Sequence, residues 1–362
     1  MEPRTLIEDM SPNGNLQAFV EQDDRVAHFY LWGGPESPFG TRVCWVRNLK
    51  PGYDDPAQIG EAMQAGTPPM LHKGACRHPS GAVPLVGERL RIVWFEEGDA
   101  AALLEDGELL AVIPGWSGDG GMRGYARDCT EPTSLCWPLA PALETLASRV
   151  RRAQAFWDSW SSETNPWTGM QDALIAAYGA LGAYSNYYAI DGGKWPPKAM
   201  LRIPVGDSVV LVTLGISLRP QPKVEGAFED PSPHRRIELG MCLGPPFATD
   251  EHVMRMARYI SAQSDLPWTQ FTWLGNGHTI ACDVLPGGES GGFTSVVLLS
   301  SPAGVPNITL PRFRDDDVSV LWLVPITEAE RLLAVEQGSA ALAARLWSRG
   351  FNWAHRPRPS VA

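Results

Sequence analysis

Two apolar segments that bracket a proline-studded loop constrain this chain more than any other feature. Within Asp207–Gly244, Val209 to Leu214 is an unbroken run of apolar and β-branched residues, the pattern of a strand buried on both faces. The later part alternates: Ile237, Leu239, Met241 and Leu243 point one way, and Glu238, Gly240 and Cys242 the other, so it reads as a strand with two unlike faces. Between them stand Pro220, Pro222, Pro231 and Pro233, which remove backbone donors and fix φ. A loop with neither helix nor central strand is expected there, and it carries Glu225, Glu229 and Asp230.

Local signals place further elements on either side. Val253, Met256, Ala257 and Ile260 form one helical stripe behind Asp250, which is expected to cap it. Val318 to Val324 reads as a strand closed by Pro325. Thr327 and Glu330 then have the spacing of a capping box, so a helix is expected from Glu328 to about Gln337, with Ser339 capping another that ends near Gly350. Upstream, Leu143 to Trp160 places Leu146, Val150, Ala153 and Trp157 on one helical face, and a second helix is expected from Gly169 to Ala183.

In the first 140 residues, Val26–Trp32, Arg42–Leu49, Arg91–Phe95 and Glu108–Ile113 read as strands. The stretch DAAALLEDG between the last two suits a short helix or turn. Residues 50 to 89 show little periodicity, GWSGDGGMRG reads as a flexible turn, and DCTEPTSLCWPLAPA reads as a linker. The expected organisation is α+β throughout: a smaller N-terminal domain over 1–140, a linker and helix over 141–164, a larger domain with a mixed β-sheet and flanking helices over 165–352, and a tail over 353–362.

The phrases TLGISLRPQPKVE and RRIELGMCL resemble the core of the suppressor of fused domain. TDEHVMRMARYI, GNGHTI, FTSVVLLSSP and VSVLWLVPITEAERLLAVEQG follow in that family's order, so the resemblance spans about residues 165 to 350. It implies a protein-binding role without catalysis. Animal members sequester a transcription factor by clamping an extended peptide, and bacterial relatives are associated with immunity to polymorphic toxins. The family's acidic residue in the loop before its Glu-Leu strand corresponds to Asp230, which points to Glu225, Glu229 and Asp230 as the protein-binding residues.

Charge and composition narrow the partner. A formal charge of −11 supplies no cationic excess to displace counterions from phosphates, which argues against nucleic acid and favours either a basic partner or simple solubility. No basic segment leads from Met1 into an apolar core, and no apolar run is long enough to span a membrane, so a cytoplasmic location is expected. In that compartment Cys44, Cys76, Cys129, Cys136, Cys242 and Cys282 are expected to be reduced and buried.

Two segments imitate enzyme sites. Gly288-Glu289-Ser290-Gly291-Gly292 fits the spacing of a serine nucleophile, but that elbow needs a strand before and a helix after. Leu285-Pro286-Gly287 precedes it and a strand-like run follows, so an interstrand loop is the expectation. The cluster His72, Cys76 and His78, even joined by Cys129 or Cys136, lacks the paired short spacings of a zinc site. His278 reads as a turn histidine, Trp94, Trp322 and Trp347 as core, and Asp315-Asp316-Asp317 as a solvated turn. The expected function is that of a bacterial immunity protein that binds and neutralises a toxin whose own surface is basic. It would need no cofactor, metal or catalytic residue; a serine hydrolase through Ser290 and a metal enzyme through Cys76 and His78 are the rivals.

Overall fold

The structure, a computed structural model, describes residues 3–160, 165–287 and 292–362. The chain divides into two compact units, Met1–Ser162 and Glu163–Ala362.

The first unit holds two sheets. β1 (Arg4–Met10), β2 (Gln17–Gln22), β3 (Val26–Trp32) and β4 (Thr41–Asn48) form an antiparallel meander. β5 (Leu90–Trp94), β6 (Ala101–Glu105), β7 (Glu108–Ile113), β8 (Tyr125–Ala126) and β9 (Trp137–Pro138) form the second. Residues 101–105, which suggest a helix or turn because alanine and leucine favour one, are strand β6 instead: pairing on both sides overrides local propensity. The segment read as aperiodic contains helix α1 (Ala57–Gln64), and the expected linker after residue 127 carries β9 and the buried Asp128, Cys129 and Cys136.

Helix α2 (Leu143–Trp160) belongs to this unit's core. Its Leu146, Val150 and Ala153 pack against Val93, Phe95, Ala102 and Leu104. Phe156 takes the buried position expected of Trp157, whose indole N–H donates to the Trp94 carbonyl at 2.8 Å.

The second unit is built on an eight-stranded mixed sheet with flanking helices, the expected α+β architecture. Helix α3 (Pro166–Tyr178) starts earlier than expected because Asn165 caps it and Pro166 fits its first turn. β10 (Asn186–Ala189), β11 (Ala199–Val205) and β12 (Ser208–Leu214) lead to a one-turn helix α4 (Val224–Ala227), then β13 (Arg236–Leu243). Helices α5 (Asp250–Gln263) and α6 (Leu266–Thr269) precede β14 (Thr279–Ala281), β15 (Phe293–Leu299) and β16 (Val318–Thr327). Helices α7 (Glu328–Gln337) and α8 (Ser339–Ser348) and the short β17 (Ala354–His355) complete it. Strand order is β10-β11-β12-β13-β16-β15-β14; β13 runs parallel to β16 and also to β17.

Both faces of this sheet are covered. Val296 and Leu298 of β15 enter one cluster with the α5 stripe Val253, Met256, Ala257 and Ile260. Val297 and Leu299 enter another with Leu333 of α7 and Leu342 and Leu346 of α8. Such two-sided burial is why these strands read as near-continuous apolar runs.

Three local readings change. Thr249, not Asp250, caps α5 by accepting from His252 N. Pro325 does not close β16; it sits within the strand opposite Val296, and its carbonyl accepts from Arg358 Nη2 at 2.9 Å. Residues 353–362 do not trail away: β17 pairs with Cys242 and Leu243 of β13, and Val361 is buried beside α7 and α8.

Candidate functional site

A buried carboxylate holds the base of the β12–β13 loop. Alternation places Glu238 on the face of β13 opposite Ile237 and Leu239, where it is fully buried. Its Oε2 accepts from Thr213 Oγ1 at 2.6 Å, and its Oε1 accepts from Gly215 N at 2.9 Å, Ser217 N at 3.1 Å and Ser217 Oγ at 2.6 Å. Burial pushes the carboxyl pKa up, while these four donors pull against it. Gly215 is required at the turn, since φ is +97° and a Cβ there would lie 2.4 Å from the Trp167 ring. The Gly-Ile-Ser and Glu-Leu pieces of the sequence are thus one network.

A second charged node fixes the other end of the loop. Arg236, 1% exposed, donates through Nε to Asp316 Oδ2 at 2.9 Å and through Nη1 to the carbonyls of Ser217 and Leu218. Arg235 reaches Asp316 Oδ1 at 3.4 Å and Glu225 Oε1 at 2.8 Å. Asp316 is therefore a buried partner rather than part of a solvated turn, because the guanidinium groups of Arg236 at the start of β13 and of Arg235 just before it neutralise it. Gln221 adds a third anchor: its side chain accepts from Leu274 N and donates to the carbonyls of Leu274 and His234.

Held at three points, the loop folds more than its prolines suggest. It contains 3₁₀ turns at Ile216–Leu218 and Ser232–His234 as well as α4, and residues 216–222 are buried. The three expected binding residues separate by environment. Glu225 is half-buried and ion-paired, whereas Glu229 and Asp230 are exposed at the tip, with Asp230 Oδ1 accepting from Ser232 N. Beside them Phe228 stacks on His234 at 3.8 Å and meets Trp273 edge-on at 4.9 Å, and Trp273 in turn contacts His278 at 4.4 Å. All four rings are partly exposed.

At the same end of the sheet, β16 is half unpaired. Its ladder with β13 starts at Val318, but its ladder with β15 covers only Trp322 to Thr327. Among the described residues, no strand pairs with Val318–Leu321 on the β15 side. A groove of about 400 Å³ runs there, between Val318, Val320 and Trp322 and the loop residues Val305, Pro306 and Ile308. This edge gives no sequence signal, because where β15 stops is set by the turn after Leu299 and not by the composition of β16.

Ser290 and its glycine-rich surroundings, residues 288–291, lie outside the described residues. His72 pairs with Glu131 at 3.2 Å, and Cys76 faces Cys129 across an isolated antiparallel bridge. Among the described residues no group of three or more His, Cys, Asp or Glu side chains is placed to hold a metal ion. All six cysteines are free and buried. Trp94 and Trp322 are core residues, while Trp347 is half-buried against the α7–α8 cluster. No helix among the described residues is long and apolar enough to cross a membrane.

The model of the suppressor of fused protein (SUFU) family matches residues 194–358, in the C-terminal part of the chain. Two solved structures are similar to it. One is a SUFU homologue from Neisseria gonorrhoeae FA 1090, 17% identical, covering 54% of this chain and 98% of its own, with a TM-score of 0.37. The other is the Sufu-Fu complex, 14% identical, covering 54% of this chain and 91% of its own, with a TM-score of 0.38. No curated protein matches the chain.

Proposed function

We propose that this chain, which matches the suppressor of fused family over residues 194–358, is a non-catalytic protein-binding protein that recognises an extended segment of a basic partner, as an immunity protein does with a toxin. The observation that carries this reading is the open edge of β16 beside its groove. Unpaired strand backbone offers main-chain donors and acceptors in register, and an added strand takes affinity from them and specificity from alternate side-chain pockets. The groove lining carries no charged side chain, which suits an uncharged extended stretch. Glu229 and Asp230, exposed on the loop at the same end of the sheet, would attract flanking lysines or arginines and speed encounter.

The test begins with a toxin encoded next to this gene. Co-expression with this chain should abolish its toxicity, and the purified pair should form a stoichiometric complex. Reversing only the two exposed carboxylates, Glu229→Lys and Asp230→Lys, should lower the association rate roughly tenfold at low salt and flatten its dependence on ionic strength. Glu225 is left in place because its reversal would also break the pair with Arg235. Identical rates and slopes for wild type and double variant would move the binding surface elsewhere, and unprotected cells would remove the immunity role.

A further inference from the structure

Three thiols meet in the first unit in a geometry that the binding function does not use. Cys76 and Cys129 are opposed in an isolated antiparallel bridge. The flanking bonds run from Arg77 N to Asp128 O at 2.8 Å and from Thr130 N to Ala75 O at 2.9 Å. That arrangement makes Cys76 and Cys129 a non-hydrogen-bonded pair, the closer of the two antiparallel kinds, with Cα atoms about 4.5 Å apart and side chains on the same face. Disulfides span Cα separations of roughly 4.4–6.8 Å, so this backbone can accept one without moving far. The Cys129 sulfur also contacts Cys136, whose thiol hydrogen-bonds to it and whose carbonyl lies 3.7 Å away.

We propose that Cys76 and Cys129 form an oxidation-sensitive pair that closes to a cross-strand disulfide with a hydroperoxide as oxidant, with Cys136 as the alternative partner of Cys129. Cys129 is the attacking sulfur. The hydrogen bond from Cys136 outweighs burial and holds its thiol below the usual value, whereas burial pushes the Cys76 and Cys136 thiols up. The Cys129 thiolate takes one oxygen from hydrogen peroxide, the O–O bond breaks, and with one proton the other oxygen leaves as water. The Cys76 sulfur then attacks the sulfenic sulfur, and the departing hydroxide takes the Cys76 proton as a second water. Two thiols are oxidised by two electrons, and one peroxide is reduced. The bond would fasten residues 75–77 to 128–130, beside the buried pair of Asp128 with Arg47.

The experiment exposes the native full-length chain to graded hydrogen peroxide, quenches free thiols by alkylation and maps linked peptides by mass spectrometry. The expected product has lost two hydrogens at a Cys76–Cys129 link, is reversed by dithiothreitol, and melts about 5 °C higher than the reduced chain. In Cys76→Ser the link should shift to Cys129–Cys136, and in Cys129→Ser neither link should form. Since the wild-type map alone settles the pairing, a variant that fails to fold does not protect the proposal. Absence of the link in the native chain, its formation only in denaturant, or a main product through Cys44, Cys242 or Cys282 would overturn it.

Discussion

Glu238 shows how one residue can carry a family's pattern for structural reasons alone. It sits fully buried with four donors converging on its two oxygens, so it joins the end of β12, the turn at Gly215 and the start of the loop. Glu238→Gln keeps the shape but removes the charge and turns one acceptor into a donor, which either faces the N–H groups of Gly215 and Ser217 or forces the Thr213 hydroxyl to turn to the Leu239 carbonyl. The expected loss is about 3 kcal/mol, read as a lower urea midpoint for the variant; an unchanged midpoint would mean the carboxylate does not hold the loop. Thr213, Gly215, Ser217 and Glu238 were visible as sequence pattern, but their convergence on one carboxylate was not. Asp316 gives no sign of its partners in the sequence. Three consecutive aspartates look solvated until Arg235 and Arg236, some 80 positions earlier in the chain, are brought against the middle one.

At the scale of elements, what the chain declares locally could be read and what depends on distant partners could not. The span of α7 and its capping box follow from Thr327, Glu330 and the apolar spacing, and both halves of the box are present. Helices α2 and α5 were equally legible from their stripes. Strands β1, β2 and β6 were not, because their neighbours in the sheet, rather than their composition, make them strands. The open edge of β16 was hidden for the same reason, which left the candidate site half legible: its acidic tip could be named and its groove could not. Glu330 holds more than the cap, since it is fully buried and accepts from Arg358 Nη1 at 2.5 Å, Arg358 Nη2 at 2.8 Å and Val361 N at 2.9 Å. Burial works to raise its pKa, but Arg358 and the backbone N–H groups of Thr327 and Val361 prevail and hold it below the ordinary 4.5. Because the unfolded chain binds this proton more tightly, Glu330 adds stability above its unfolded pKa and loses it as pH falls through the folded value. Urea midpoints from about pH 6 to about pH 3 should therefore fall more steeply for wild type than for Glu330→Gln; parallel curves would contradict the assignment.

At the scale of the whole molecule, the two units close differently. The first ends in α2, a helix packed along one core face, whereas the second is finished by a strap from Trp353 to Val361. That strap pairs with β13, places Arg358 over the rings of Phe293 and Phe351, neutralises Glu330 and seats Val361 among the α7 and α8 side chains. A chain cut after Asn352 loses the cation of Glu330, the β17 pairing and the buried Val361 together and should lose about 3–5 kcal/mol, seen as a collapse of the second unit's melting transition. A transition unchanged by the cut would show the strap to be dispensable. Translation meets the same dependence in time. The first unit has all of its residues once Ser162 has left the ribosome, while the sheet of the second must wait, with one of its charges uncompensated, until Arg358 and Val361 are synthesised. A nascent chain halted a few codons short of Arg358 would be a natural client for chaperones, and folding of this half is expected to begin in earnest only when synthesis has passed Val361.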